Sequence, residues 1–190
     1  MSYSTRIVDA FGFAHRIHGA HTRKGSGVPY ITHVMAVAGI VGEHGGDEDV
    51  FIAALLHDAV EDGGGYATLD EIRAQFGERV AGMVEACSDS FVQPKPAWRE
   101  RKLRFVEAMR TADPEVRLIV AADKLHNLCA TTADYRALGE SLWERFNGGR
   151  SGTLWYYGAV TEALAEGWDH PLVEDLRAVV EDLHSACAME

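Results

Sequence analysis

The sequence has few prolines and cysteines, and it lacks any long apolar run. Only 5 of its 190 residues are proline and 3 are cysteine, an odd number without C-x-x-C spacing. This usage is typical of reduced thiols in a reducing compartment rather than of a disulfide framework. Apolar runs such as 51–56 are too short to cross a bilayer, and the first six residues do not begin a signal peptide. We therefore expect a cytoplasmic protein with no membrane partner.

Positive charge is also scarce, with 18 Lys and Arg against 29 Asp and Glu and a formal net charge of −11. This balance argues against a protein that coats nucleic acid through bulk charge. It still allows an anionic small substrate, because one metal ion or a local basic cluster can invert the field of a site. The apolar fraction of 47% and the charged fraction of 25% are ordinary globular values. We expect one domain, 1–190.

No segment alternates as a β-strand does, and helical spacing runs through nearly the whole chain. The expected fold class is all-α, a compact single-domain bundle of roughly eight to ten helices. Glycine and proline clusters predict loops at 23–29, 91–96 and 147–152, the last between two helices rich in aromatics. The apolar spacing predicts helices around 7–17, 32–43, 78–88, 97–111 and 171–186. Start signals add three more: a helix over 47–62 with Asp47 as N-cap, a short helix from a capping box at 68–71 to Gly77, and a helix from Pro114 to about Asn127 or beyond.

One acidic segment concentrates chemistry at the end of a predicted helix. At about 100° per residue, His57 and Glu61 lie one turn apart on a face, and Asp58 and Asp62 lie on the neighbouring strip. Carboxylates at a helix C-terminus meet the negative end of its dipole, and burial adds a desolvation cost. A divalent metal relieves both penalties. The alternative is a solvated acidic helix end.

Two ligands do not complete a metal site, so others must come from elsewhere in the chain. His33 lies near the start of the predicted helix 32–43, and Asp123 follows the apolar run 118–122. Taken alone, His33 is more often a core or capping histidine, and Asp123 is more often paired with a lysine or arginine. Both alternatives stay open on the residues themselves.

Three further groups of residues have weaker signals. His15, His18 and His21 recur every third residue, but no carboxylate accompanies them, so we interpret them as surface and cleft-lining residues. The basic stretch 95–104, like Arg150, could meet an anionic substrate, although a solvated helix face is the commoner reading. The aromatic residues of 143–157 are expected to pack between helices or to line a pocket or dimer face.

The order His, His-Asp, Asp resembles the ligand order of the HD superfamily of metal-dependent phosphohydrolases. Three motifs resemble the RelA/SpoT-type (p)ppGpp hydrolases more narrowly: R-K-loop-P-Y-I-x-H at 23–33, H-D-x-x-E-D at 57–62 and A-D-[KR]-L-x-N-[LM] at 122–128. They fall within 8–130, so we expect the helices of 131–190 to pack on that hydrolase domain. The length allows the hydrolase domain alone, as in the small alarmone hydrolases and the metazoan SpoT homologue.

The resemblance implies a divalent transition metal, usually Mn²⁺, although Zn²⁺ or Fe²⁺ also suits mixed nitrogen and oxygen ligands. The residues implied as its ligands are His33, His57, Asp58 and Asp123. The ion would polarise a phosphoryl oxygen and lower the pKa of a water. Glu61 and Asp62 are implied as the catalytic residues that position this water and shuttle its proton.

Three substrate contacts are also implied by the resemblance. Arg23 would lie against the nucleobase and Lys24 would bind phosphate, whereas Asn127 would contact the sugar or a phosphate. The alternatives are exposed basic residues at a helix end and a C-terminal capping amide. Cys129 and Ala130 depart from the arginine and small polar residue usual in these relatives, so we expect one positive charge near the substrate to be missing.

The implied activity is hydrolysis of the 3′-pyrophosphate of (p)ppGpp to GDP or GTP and pyrophosphate. The alternatives are an HD phosphohydrolase for another nucleotide, such as (p)ppApp, a deoxynucleotide or NADPH, and a catalytically silent nucleotide-binding regulatory domain. Intact Glu61 and Asp62 argue against a silent domain. The expected partner is a small-molecule nucleotide, without nucleic acid, and a homo-oligomer stays open.

Overall fold

The computed structural model describes residues 3–92 and 94–188; Met1 and Ser2 of the N-terminal segment and Gln93 of the predicted 91–96 loop lie outside them. Across these residues, the only β geometry is an isolated bridge between Thr22 and Pro29. The all-α class is therefore confirmed. No helix in the described ranges is long and apolar enough to cross a membrane. The helices are α1 (Arg6–His18), α2 (Ile31–Glu43), α3 (Glu48–Leu56), α4 (Ala59–Gly63), α5 (Tyr66–Phe76), α6 (Glu78–Cys87), α7 (Trp98–Met109), α8 (Pro114–Leu138), a 3₁₀ helix (Gly139–Arg145), α9 (Gly149–Ala165) and α10 (Pro171–Ala188).

Helices α3 and α8 form the centre of the fold. Residues 52–56 of α3 and 116–123 of α8 are buried without interruption. Helix α3 packs against α1, α2, α6 and α8, and helix α8 also packs against α9 and α10. Each large apolar side chain buried here contributes about 1.5–3 kcal/mol to folding. Since His57 follows the first run and Asp123 ends the second, packing of the core also brings these two side chains together.

The predicted helix 47–62 is interrupted at its chemical end. Its start is as expected, because the Asp47 carboxylate accepts a bond of 3.1 Å from the Val50 amide. However, α3 ends at Leu56, and α4 begins only at Ala59. The His57 ring lies 2.7 Å through Nδ1 from the Ala54 carbonyl, so the side chain satisfies a carbonyl at the helix end. The uninterrupted helical face predicted for the acidic segment is therefore wrong.

Two other predicted boundaries are wrong. Helix α5 begins at Tyr66, so Thr68 lies buried in its first turn and does not act as the N-cap of a capping box. Gly65 precedes the helix with a positive φ of 62°, which lets the chain turn directly from α4 into α5. In the predicted loop 147–152, helix α9 already begins at Gly149.

Candidate metal centre and adjoining cleft

Four side chains from three parts of the chain converge at the end of α3. The Nε2 atom of His57 lies 3.1 Å from Asp58 Oδ2 and 3.6 Å from Asp123 Oδ1. The Nε2 atom of His33 lies 3.2 Å from Asp123 Oδ1 and 3.7 Å from Asp58 Oδ2. Two imidazole nitrogens and two carboxylate oxygens therefore face one point, as the predicted ligand set requires.

The two histidine rings are held in place by their other nitrogens. His57 Nδ1 is bonded to the Ala54 carbonyl, and His33 Nδ1 lies 2.9 Å from His126 Nδ1. Both Nε2 atoms are buried and have no hydrogen-bond partner. An unpaired buried polar atom costs about 1–3 kcal/mol. A divalent cation between the rings would take both lone pairs, so the donor set fits a metal ion.

The carboxylates are also fixed by neighbours. The Tyr30 hydroxyl donates to Asp58 Oδ2 at 2.5 Å, and Asp123 accepts from Lys124 Nζ at 2.5 Å and from Asn127 Nδ2 at 2.6 Å. Burial alone would raise the pKa of both carboxyl groups. However, His57 beside Asp58 and Lys124 beside Asp123 hold each pKa well below its usual range. Both carboxylates are therefore ionised, the state in which they bind metal.

Glu61 and Asp62 point to different neighbours. Glu61 binds Lys95 Nζ at 2.9 Å through Oε2 and accepts from the Asp89 amide at 2.8 Å through Oε1. Asp62 Oδ2 instead lies 3.8 Å from His18 Nδ1, on the side of α1. Burial, followed by repulsion from Asp58, raises the pKa of Asp62 to about 6. The proton affinity of Asp62 is thus raised toward neutral pH.

A cleft with a volume of about 570 Å³ adjoins the cluster and contains the three predicted substrate residues, Arg23, Lys24 and Asn127. It reaches the cluster through side chains bonded to the ligands, including Asn127. The Arg23 guanidinium donates to Asn127 Oδ1 at 2.9 Å. Among the described residues, the cations that line the cleft are Arg23, Lys24, Lys102, Lys124 and Arg145, and the one carboxylate is Asp134. The aromatic side chains of the lining are Tyr30, Trp98, Phe146, Tyr156 and Tyr157.

The basic stretch 95–104 is only partly a solvated face. Arg101 is buried and donates to Asp89, which also accepts from Lys102 Nζ at 2.6 Å. Lys102 faces the cleft as well. The solvated-face interpretation is therefore wrong for these two residues, whereas Arg104 is exposed.

Two residues named from the sequence do not serve the cleft. Arg150 is bonded to Glu140 at 2.8 Å and to the Cys187 carbonyl. Cys129 is exposed. The pKa of its thiol is raised mainly by the part of the side chain that is covered and, to a smaller extent, by Asp175 and Asp182 of α10. Its neighbour Ala130 lines the cleft and Cys129 does not, within the described residues. The expectation of a charge missing from the substrate site is therefore wrong at Cys129.

The three histidines near the end of α1 differ in their surroundings. His15 and His21 are exposed, but His18 is completely buried, so the surface interpretation is wrong for His18. The statement that no carboxylate accompanies them is also wrong, because α4 places Asp62 beside His18.

Sequence reasoning missed several residues of the site. His126 and Lys124 lie within the third motif, and His126 follows Asp123 by three residues on α8, so helical spacing could have identified it. Tyr30 lies within the first motif. Arg145 had no such signal, because only the packing of the 3₁₀ helix places it at the cleft, whereas Tyr156 belongs to the aromatic residues of 143–157 for which a pocket lining was one expectation.

The comparisons with known proteins agree with this geometry. Residues 10–154 match the family profile described as HD domain. The chain is 40% identical over 130 residues to the Homo sapiens guanosine-3′,5′-bis(diphosphate) 3′-pyrophosphohydrolase MESH1, over 67% of this chain and 70% of that protein. It is 39% identical to the bifunctional (p)ppGpp synthase/hydrolase SpoT of Escherichia coli K12, over 65% of this chain and 18% of that protein. The structure of a metazoan ortholog of SpoT that hydrolyzes ppGpp is similar with a TM-score of 0.78 and 27% identity, covering 95% of this chain and 97% of that one.

Proposed function

The chain belongs to the HD domain family, and we propose that it hydrolyses the 3′-pyrophosphate of a guanosine alarmone, (p)ppGpp. The products are pyrophosphate and GDP or GTP. The observation that carries this proposal is that a cluster of four candidate metal ligands adjoins a cleft lined by cations and aromatic rings, although the protein as a whole has a net charge of −11. Named relatives with this activity support the choice of substrate.

The cleft has the chemistry that a polyphosphorylated nucleotide needs. Lysine and arginine side chains bind phosphate oxygens, and guanidinium and aromatic faces stack on a purine. We propose that Arg23 contacts the base and that Lys24 binds a phosphate. Both residues line the cleft at the start of the glycine-containing loop. Asn127, bonded to both Arg23 and Asp123, lies between the nucleotide side of the cleft and the cluster and contacts the sugar or a phosphate.

We assign the metal ligands to His33, His57, Asp58 and Asp123. Mn²⁺ is our choice of ion, and Zn²⁺ and Fe²⁺ suit the same nitrogen and oxygen donors. When bound, such an ion supplies Lewis acidity toward a phosphoryl oxygen and lowers the pKa of water at the site. The protein's part is to hold the ligands: Ala54 and His126 orient the two rings, and Tyr30, Lys124 and Asn127 orient the two carboxylates.

We propose that Glu61 and Asp62 are the catalytic residues that position the attacking water and move its proton. Asp62, with its pKa raised to about 6, accepts the proton as the water oxygen attacks the phosphorus next to the ribose. The bond from that phosphorus to the ribose 3′ oxygen breaks, and the 3′ oxygen takes up the proton. Glu61 holds Lys95 and the Asp89 amide against α4, which positions Asp62.

The chain acts as one hydrolase unit, 1–190, in this proposal. Helix α10 packs along α8, the helix that carries Asp123 and Asn127. The absence of C-x-x-C spacing and the half-buried Cys87, whose pKa is raised by burial, suit the reducing cytoplasm in which we place the activity.

A substrate panel tests the proposal. The protein, reconstituted with Mn²⁺, is given ppGpp, ppApp, GTP, dGTP and NADPH, and the products are separated by anion exchange. We expect ppGpp to have the highest kcat/KM, with pyrophosphate and GDP formed in equal amounts. Turnover of dGTP or NADPH without turnover of ppGpp would overturn the proposed substrate class. The variant His57→Ala, assayed beside the wild type, identifies hydrolysis by a contaminating enzyme.

A further inference from the structure

A second group of metal-ligating side chains lies outside the four-ligand cluster. Ligand atoms of His18, His21 and Asp62 all lie within 4.8 Å of one another. The two histidines come from the end of α1 and the residues that follow it, and the aspartate comes from α4. We propose that these three residues form a second binding site for a divalent transition metal.

The strongest argument is the state of His18. Its side chain has no exposed surface, and neither ring nitrogen has a hydrogen-bond partner. Buried polar groups in folded proteins are nearly always paired, so an imidazole with two unpaired nitrogens needs an explanation. Burial also lowers its pKa to about 4, so the ring is neutral at pH 7, which is the form that binds metal.

The spacing of the three residues suits a shared ion better than direct hydrogen bonds. His18 Nδ1 and Asp62 Oδ2 are 3.8 Å apart, which is too long for a hydrogen bond. Two ligands bound to one tetrahedral ion at 2.0–2.2 Å lie about 3.3–3.6 Å apart. The His18 and His21 rings have centroids 5.6 Å apart and stand edge to face. His21 is exposed and the partly buried Asp62 side chain is still 36% exposed, so small movements of both side chains complete the approach to the fixed His18 ring.

Local charge favours a cation at this position. Asp58 and Glu61 both raise the pKa of Asp62 by repulsion, after the larger effect of burial. Lys95 opposes them, and its ammonium group is already bound to Glu61. An ion shared by Asp62 and two neutral imidazoles would relieve this crowding of negative charge.

The second site is distinct from the first. None of its three residues is among the four ligands assigned above, and the ring of Tyr30 lies between the two groups. Its centroid is 5.1 Å from that of His18 and 5.3 Å from that of His33. Asp62 is also the proton acceptor proposed above, so an ion bound at this second site would compete with that role. Two imidazoles and one carboxylate leave positions for water, so Zn²⁺, Co²⁺ and Mn²⁺ are the ions that this donor set takes.

Co²⁺ titration tests the proposal without any substrate, so its failure is separate from failure of the proposed hydrolysis. The protein is stripped with a chelator, and bound Co²⁺ is counted by equilibrium dialysis and by its visible absorption. We expect two equivalents for the wild type, the first binding more tightly. His21→Gln should keep one equivalent and lose the second. Because His21 is exposed, this substitution spares the core, and circular dichroism verifies the fold.

Four other variants make the assignment specific. His57→Ala should retain one equivalent, now at the second site, and the double variant H21Q/H57A should bind none. His15→Ala removes an exposed histidine of the same helix and should still bind two. His170→Ala removes one ring of the unrelated His44–His170 pair and should also bind two. A single equivalent in the wild type, or equal stoichiometry in His21→Gln and His15→Ala, would overturn the second site.

Discussion

The Nδ1 atoms of His33 and His126 lie 2.9 Å apart, so the two rings share one proton. Burial, followed by the effects of His33 and Arg23, lowers the pKa of His126 to about 4, and His126 is therefore neutral at pH 7. Two bare nitrogens would repel each other at this distance. The arrangement that leaves His33 Nε2 ready to bind a cation places the proton on His33 Nδ1, with His126 as its acceptor. His126 thus fixes the tautomer of a metal ligand from the cleft side.

Removing this acceptor should weaken metal binding. We expect His126→Ala to lower the affinity of the four-ligand centre for Mn²⁺ by about 10–100-fold, as for other partners of metal-bound histidines. His126→Asn restores an acceptor oxygen and should recover part of the loss. Competition with a chelator measures the affinity, and exposed His184, changed to Ala, serves as the control. Equal affinity in His126→Ala and wild type would show that the pair has no such role.

The two acidic residues of α4 should differ in their effect on turnover. We expect Asp62→Asn to lower kcat by about 10²–10⁴-fold, the usual contribution of a general base. Glu61→Gln keeps an acceptor for the Asp89 amide but loses the ion pair with Lys95, so its loss should be smaller. Steady-state kinetics with one equivalent of Mn²⁺, which fills the tighter four-ligand centre, measure both, and elemental analysis should find one ion per chain in each variant. A wild-type kcat in Asp62→Asn would remove this residue from the mechanism.

Arg23, which lines the cleft, should contribute to substrate binding and not to metal binding. Arg23→Ala removes the guanidinium that we assign to the base and that is bonded to Asn127, and a cation–π contact of this kind contributes about 0.5–2 kcal/mol. We expect kcat/KM for ppGpp to fall by roughly 2–30-fold, with the metal content unchanged. Arg16→Ala is the matched control, because Arg16 is exposed and pairs with Glu71 away from the cleft. Equal kcat/KM values in the two variants would contradict the assignment.

The buried charge cluster behind the cleft should stabilise the fold in a pH-dependent way. Asp89 has a side chain only 3% exposed and binds Arg101 and Lys102. Removing one partner of such a group typically costs about 3–5 kcal/mol, so Asp89→Asn should lower the free energy of unfolding by that amount at pH 7. Urea denaturation measures it, and Asp70→Asn, on an exposed carboxylate paired with Arg73, should change stability little.

The sign of the pH dependence follows from the pKa of Asp89. Burial would raise this pKa, but Lys102 and Arg101 outweigh burial and lower it. A lowered pKa means that the stabilisation is complete above the unfolded value of about 3.9 and is lost as the pH falls through the folded value. The difference between wild type and Asp89→Asn should therefore shrink below about pH 4. A difference that grows on acidification would contradict this account.

The meeting of two of the proposed metal ligands was predictable from the core. Apolar runs end at His57 and Asp123, so burial of α3 and α8 brings both to one place. The break between α3 and α4 was not predictable from helical spacing, since the His57 ring itself satisfies a carbonyl of the last turn. That break turns Glu61 and Asp62 toward different neighbours.

Other parts of the site depend on packing between distant segments. Asp62 meets His18 only because α1 and α4 pack together, and spacing along the chain does not reveal such a contact. The aromatic and basic wall that includes Arg145 and Tyr156 depends in the same way on how α9 packs against its neighbours. The motifs therefore predicted which side chains meet at the cluster, but not the shape of the cleft beside it.

The most direct test of the central claim is the fate of a phosphorus label in the 3′-pyrophosphate of ppGpp. The Mn²⁺-loaded protein is incubated with ppGpp carrying ³²P only at the 3′ position, with Asp58→Asn as the control for the four-ligand centre. We predict that all released label appears as pyrophosphate, that GDP forms in equal amount, and that Asp58→Asn releases almost none. Label released as orthophosphate, or equal release by Asp58→Asn, would contradict the account.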